Sequence, residues 1–316
     1  MSLPVQFHFG KLPAQPARPH LEISTLLAEA EVAPPPSCDW QSDSIIWPMY
    51  GNADWGDCVF AEIGHSINQL TFYATGSEVQ PTEDDILGGY SDVTGFDPNA
   101  GPPGNNPTDR GTYVQDALAY WRKTGIAGHK ILAYASLDVS NLAEIKQAIA
   151  IFGSISVGMN FPASAMDQFN RGQVWDVVRG AKNEGGHCVL VGAYGNGRLG
   201  LVTWGAEAEM TEAFWRKYVD EAWVVLDLEG LRKAGDYFTG SPSLYALGEQ
   251  FAQLTGESNP VDPPEPVPTP PPAPAPSPVD PRLAQAAVLM KQSVALGQQA
   301  DELMDAWARD NNVTGA

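Results

Sequence analysis

GNADWGDCVFAEIGH, residues 51–65, joins a turn-like cluster of small and acidic residues to an apolar run with helical spacing. That junction places Cys58 in the first turn of a helix, where unpaired backbone N–H groups and the helix dipole favour a thiolate. A nucleophilic thiol also needs a base, and an imidazole on a neighbouring strand would suit. His65 lies seven residues beyond Cys58 on the same helix, about 10 Å away at 1.5 Å rise per residue, too far to touch it. A core or capping role fits His65 better. His8 and His20 fall in a proline-rich leader, and His129 follows a glycine in a loop. His187 opens the strand-like run HCVLVGAYG directly after EGG, so Cys58 and His187 form the candidate dyad. Spacing alone leaves open the bland alternative, because free cysteines and single histidines also occur as buried core residues.

The rest of the chain narrows the classes. With 316 residues, 43% of them hydrophobic, the chain is long enough for one large globular domain or two smaller ones. Eighteen basic residues against 38 acidic ones leave a net charge of −20. That balance argues against nucleic acid or an anionic membrane as a partner, since most of the surface would repel phosphate. Cys38, Cys58 and Cys188 are too scattered for a disulfide framework, and no Cys/His spacing suits zinc. No metal or cofactor is expected, and cytoplasmic synthesis with reduced thiols is the default. The first twenty residues carry no signal-peptide pattern, and no apolar stretch is long enough to cross a bilayer.

Composition divides the chain into four parts. Residues 1–36 read as an extended, proline-rich arm, and residues 37–256 carry almost all the aromatic and β-branched content. Residues 257–281 form a proline-rich linker, with twelve prolines among the twenty-two residues from Pro260 to Pro281. A polyproline-type spacer of that length reaches about 70 Å at ~3.1 Å per residue. Residues 282–310 read as an amphipathic helix with Leu289, Leu296 and Leu303 at seven-residue intervals and Trp307 on an adjoining position. That stripe suits docking on a protein partner or self-association.

In the main domain, CVFAEIGHSINQLTFYA, GTYVQDALAYWRKTGI and NLAEIKQAIAIFG have helical spacing. SISVGMNF, HCVLVGAYG, RLGLVTWG and EAWVVLDL read as strands. Helices early and strands late describe an α+β domain.

The order of these features resembles the papain-like cysteine peptidases over roughly residues 35–228. Pro35-Pro36-Ser37-Cys38-Asp39-Trp40 stands where family members open their mature domain with Pro-x-x-x-Asp-Trp. Asn52 lies six residues before Cys58, where the family carries its oxyanion-hole glutamine. EDDILGGYSDVTGF, GTYVQDALAYWRKTGI and NLAEIKQAIAIFGSISVGM resemble the segments that follow the central helix. HCVLVGAYG resembles the His-x-Val-x-x-x-Gly-Tyr-Gly strand, and Thr203-Trp204-Gly205 resembles Ser-Trp-Gly. The resemblance implies a two-lobed fold, with a helical lobe carrying Cys58, a β-rich lobe carrying His187 and the cleft between them. It also implies a peptide or protein substrate, and a site lined or shielded by Trp204, Thr203, Trp55 and Gly186.

Three departures accompany it. Val202 occupies the position of the family's histidine-orienting asparagine, and alternation is expected to turn Thr203 to the opposite face. Asn52 is one methylene shorter than glutamine. The arm, with many prolines and little helical periodicity, differs from an inhibitory pro-segment. The Pro-rich approach to Asp39-Trp40 followed by GN-x-x-x-GDC resembles a bacterial and bacteriophage subgroup. The expected function is a thiol hydrolase of peptide or amide bonds using Cys58, His187 and Asn52. Related acyl transfer is a weaker variant. The alternative is a catalytically weak scaffold, virion-associated and docked through its C-terminal helix.

Overall fold

The computed structural model describes residues 7–18, 20, 22–24, 27 and 33–227. The proline-rich linker and the helix bearing Leu289, Leu296, Leu303 and Trp307 lie outside the described residues.

Period-two alternation builds a sheet that deals its apolar side chains to two cores. Its strands run β1 (Cys38–Asp39), β2 (Ala133–Ser136), β3 (Ile155–Pro162), β4 (Asn183–Gly195), β5 (Arg198–Thr203), β6 (Ala206–Thr211) and β7 (Val219–Leu226). The order is β2-β7-β3-β4-β5-β6, with β1 pairing β4, and every named pairing is antiparallel. Along β7, Ala222, Val224 and Leu226 enter one core, whereas Trp223 and Val225 enter the other. Along β4, Val189 and Val191 join the first core and Cys188 the second.

The second core is closed by three helices: α1 (Cys58–Thr75), α2 (Glu83–Thr94) and α3 (Val114–Lys123). The first is closed by α4 (Leu142–Phe152), α5 (Ala163–Asn170) and α6 (Glu212–Tyr218). Local chemistry fixes several ends. Thr82 and Asp85 form a reciprocal capping box on α2. Asn141 caps α4 through the Glu144 N–H, and Gly153 stops that helix with φ 89°. α1 ends at left-handed Gly76, yet at its start Asp57 makes no side-chain cap. Its first N–H groups are therefore not taken by a capping carboxylate.

The expected α+β architecture is present, and the helices read from residues 58–74, 111–126 and 141–153 correspond to α1, α3 and α4. β1, β2, β6, α2, α5 and α6 have no counterpart among the helices and strands read from the sequence. β6 reads AEAEMT, too acidic to register as a strand; among the named strands it pairs with β5, and Met210 also bridges to Trp175 on its other side. Among the described residues, no helix is long and apolar enough to cross a membrane.

Candidate active site

Cys58 is the first residue of α1 and is buried; His187 lies on β4 and is fully buried. The cysteine's sulfur meets the backbone of Cys188, the residue after His187, so α1 and β4 abut at this point. The His187 Nε2 lies 2.7 Å from the Thr203 Oγ1, and its Nδ1 has no hydrogen-bond partner. Trp204 stacks on the imidazole at 4.3 Å between ring centroids and 17° between planes.

Thr203 corrects the expectation that it would face away. The register pairs Leu190 with Val202. That sets Val202 on the face of Cys188 and Leu190, and Thr203 on the face of His187 and Val189. Alternation does separate Val202 from Thr203; it is Thr203 that receives the imidazole. Val202 is buried and carries no polar group to replace it.

Asn52 is buried, and its amide Nδ2 donates to the Trp55 carbonyl at 3.0 Å and to the His8 carbonyl at 3.4 Å. The Trp55 ring itself rests on Phe96 in the helical layer, at 5.0 Å between centroids. Its link to the site is through its carbonyl. The turn before Cys58 is held by Asp109, whose carboxylate accepts the Gly56 N–H at 3.0 and 3.1 Å and the Tyr90 hydroxyl at 2.7 Å. His65 keeps the structural role expected of it, with Nε2 2.7 Å from the Pro48 carbonyl and its pKa lowered to about 4 by burial.

Two acids close to Cys58 in the chain are buried. Asp57 is fully buried directly before Cys58, and desolvation pushes its pKa well above the carboxylate range against the opposing influence of Asn52. Glu62, one turn along α1, accepts the Ser66 hydroxyl at 2.8 Å and the Ser156 hydroxyl of β3 at 2.9 Å. Burial raises it to about 7. A carboxylate inside a helix reads as solvated surface, and only the packing of α1 on β3 reveals otherwise. Among the described residues, no three His, Cys, Asp or Glu side chains converge as a metal site.

Set against solved structures, the chain is similar to xylellain, a cysteine protease from Xylella fastidiosa. The TM-score is 0.53 at 16% identity, over 72% of this chain and 98% of that one. The fold is papain-like. Structures with lower TM-scores include procathepsin B S9 from Trypanosoma congolense (0.47, 12% identity, 69% of this chain and 86% of that one). Another is the proform of the ragweed cysteine protease Amb a 11 (0.47, 15% identity, 68% and 65%). No family model matches the chain, and no curated protein matches it.

In this papain-like fold the N-terminal arm lies in the cleft. The Lys11 N–H donates to the Gly186 carbonyl at 3.0 Å, the Thr112 N–H to the Gly10 carbonyl at 2.8 Å, and the Leu12 N–H to the Thr112 carbonyl at 2.9 Å. Gly10 passes so near Gly56 and Gly111 that a methyl group at Gly10 would strike the Gly56 carbonyl. Gly186 is equally constrained, since a methyl there would strike the Lys11 carbonyl. Phe7 stacks on the Trp204 ring at 4.8 Å, and Phe9 meets His187 edge-on at 5.8 Å. The arm backbone at Gly10 and Lys11 touches the Cys58 sulfur.

The covering changes the chemistry of the pair. Burial pushes the Cys58 thiol up to about 12, with Asp57 adding to it, although backbone contacts from Cys188, Gly10 and Lys11 oppose the shift. Burial also lowers His187 to about 3. Burial thus favours the neutral forms of both the thiol and the imidazole. A hollow of about 690 Å³ remains beside the arm, lined in part by Gly104, Arg110 and Glu184. The arm's position in the cleft was not legible, because tertiary contacts decide where a proline-rich segment lies.

Proposed function

We propose that the chain is a papain-like thiol hydrolase of peptide or amide bonds, of the bacterial and bacteriophage kind, held latent by its own arm. Cys58 is the nucleophile: its sulfur attacks the carbonyl carbon while His187 takes the thiol proton and returns it to the leaving amine. Water, deprotonated by His187, then releases the acyl group and restores the thiol. Thr203 positions His187, and Trp204 shields the ring. Asn52 and the Cys58 backbone N–H hold the oxyanion, a kind of donor worth about 3–4 kcal/mol in transition-state stabilisation. Asn52 already donates to a peptide carbonyl of the arm, that of His8.

One observation carries the reading: His187 spends Nε2 on Thr203 and keeps Nδ1 free, one residue from the strand position whose backbone meets the Cys58 sulfur. That is the arrangement a base needs. The test is the full chain with Lys11→Ala to loosen the arm, labelled by iodoacetamide across pH and offered a mixed peptide library. Rapid Cys58 labelling below pH 8, lost with His187→Ala, together with peptide cleavage lost with Cys58→Ala, is the expected result. Labelling as slow as in an unfolded peptide once the arm is displaced would overturn it. A non-catalytic scaffold, docked through the helix of residues 282–310, is the second reading; the neutral, covered pair favours it.

A further inference from the structure

The proposed chemistry leaves one nucleophilic side chain unused, the thiol of Cys188, next to His187 on β4. Cys188 is 2% exposed and Cys58 1%. The His187 ring packs on Phe161 and Trp204 of the first core. Alternation along β4 turns Cys188 the other way, into the core closed by α1, α2 and α3, where Cys58 also lies.

Contacts on both sides fix the Cys188 thiol beneath the start of α1. The Cys188 backbone meets the Cys58 sulfur and favours its thiolate, so the group in contact is the N–H. The bond from that nitrogen to its Cα is about 1.5 Å, which puts the Cys58 sulfur about 5 Å from the Cys188 Cα. That is within reach of a disulfide, whose Cα atoms stand about 4.4–6.8 Å apart. Glu62 and Cys58 both act on the Cys188 thiol, and both disfavour its thiolate. They stand one turn apart on α1, so Cys188 lies against the face they share. Cys38, the third cysteine of the chain, cannot compete. It pairs with Tyr194, about 20 Å along β4 from Cys188.

We propose that Cys58 and Cys188 form a redox pair, in which a peroxide oxidises Cys58 in the arm-released chain and Cys188 then closes a disulfide between α1 and β4. This deepens the hydrolase reading, on which it rests for a reactive Cys58, by giving the same site a reversible off state. The Cys58 thiolate bonds one oxygen of hydrogen peroxide and the O–O bond breaks. The departing hydroxide takes the proton held by His187 and becomes water, leaving Cys58 as a sulfenic acid. The Cys188 sulfur attacks the Cys58 sulfur, the S–O bond breaks, and hydroxide leaves as water with the Cys188 proton. Two thiols are oxidised by two electrons in all, and one peroxide is reduced to two waters. A buried thiol is shielded from oxidants in solvent, but a resolving thiol has only to reach its partner's sulfur.

The test uses the full chain with Lys11→Ala, which loosens the arm by removing the ion pairs of Lys11 with Asp220 and Glu221. The chain is treated with hydrogen peroxide, digested without reductant and read by mass spectrometry. A peptide pair linked through Cys58 and Cys188 is expected, with Cys38 still a thiol. Iodoacetamide labelling of Cys58 should be lost on oxidation and regained with dithiothreitol. With Cys188→Ala added, Cys58 should reach sulfinic acid at least tenfold faster, and dithiothreitol should not restore its labelling. Equal rates of sulfinic acid formation in the two chains would overturn the pair. So would an oxidised chain without the link, or a Cys58 that stays a thiol under peroxide. Should Cys188→Ala fail to fold, the linked peptide in the Lys11→Ala chain decides alone. A link formed in a chain that cleaves no peptide in the library would defeat the hydrolase reading and leave the redox pair standing. Cleavage without the link would do the reverse.

Discussion

Thr203 and Glu62 show how single side chains set the site's behaviour. The Thr203 hydroxyl is the hydrogen-bond partner of His187 Nε2, at 2.7 Å. A bond that strengthens when its partner becomes charged is worth about 1.5–3 kcal/mol, so Thr203→Val should lower kcat/KM by roughly ten- to a hundredfold in the arm-released chain. Thr203→Ser should retain most of the rate. The acidic limb of the pH–rate profile should also move in Thr203→Val, and a profile identical to the parent would refute positioning.

Glu62 makes a prediction about stability. Its folded pKa, about 7, lies above the ordinary glutamate value of 4.5, and the dominant cause is burial. The folded state therefore binds the proton more tightly, so its stabilising share is complete below about pH 4.5 and is lost as pH rises through 7. The size is on the order of 3 kcal/mol. Glu62→Gln should flatten the fall in denaturation free energy between pH 4.5 and 7; a slope unchanged from the parent would show that another group is responsible. Neither role was legible beforehand. Thr203 needed the β4–β5 register, and Glu62 needed to be seen beneath α1 against Ser156.

At the scale of elements, the arm and the start of α1 oppose one another. The uncapped N-terminus of α1 favours a Cys58 thiolate, and the arm's burial of the sulfur disfavours it. Gly10 is the point of closest approach, wedged against Gly56 and Gly111. Gly10→Ala should lift residues 7–12 from the cleft, because the added methyl meets backbone rather than a movable side chain. Alkylation of Cys58 should then accelerate by about tenfold or more at pH 7 as the thiol regains solvent and the helix terminus acts on it. An unaltered alkylation rate would mean that the arm does not control access. The α1 helix was readable because apolar spacing and a glycine stop fall in one contiguous segment. The arm's docking joins residues 7–12 to residues near 56, 111 and 186, and no local pattern encodes such a contact.

For the whole molecule, the net charge of −20 sets a background against which the buried pairs act. Like charges repel more in the compact state than in the expanded one, and salt screens that repulsion over about 10 Å at 0.1 M. Raising NaCl from low to moderate concentration should therefore raise Tm, while the buried Lys11 pair with Glu221 is screened little. A Tm that falls with salt would show that attractive surface pairs outweigh the repulsion.

The sequence by itself determined the α+β class, the helix that presents Cys58 and the strand that carries His187. These follow from local periodicity, turn residues and composition, which act over a few residues. Only the tertiary structure decided that Thr203 faces the imidazole, that Glu62 and Asp57 are buried, and that Lys11 sits between Asp220 and Glu221. Each of those depends on strand register or on burial created by distant segments. Such long-range terms, desolvation above all, assign a charged or polar residue to site or surface, and its neighbours in the chain carry no record of them.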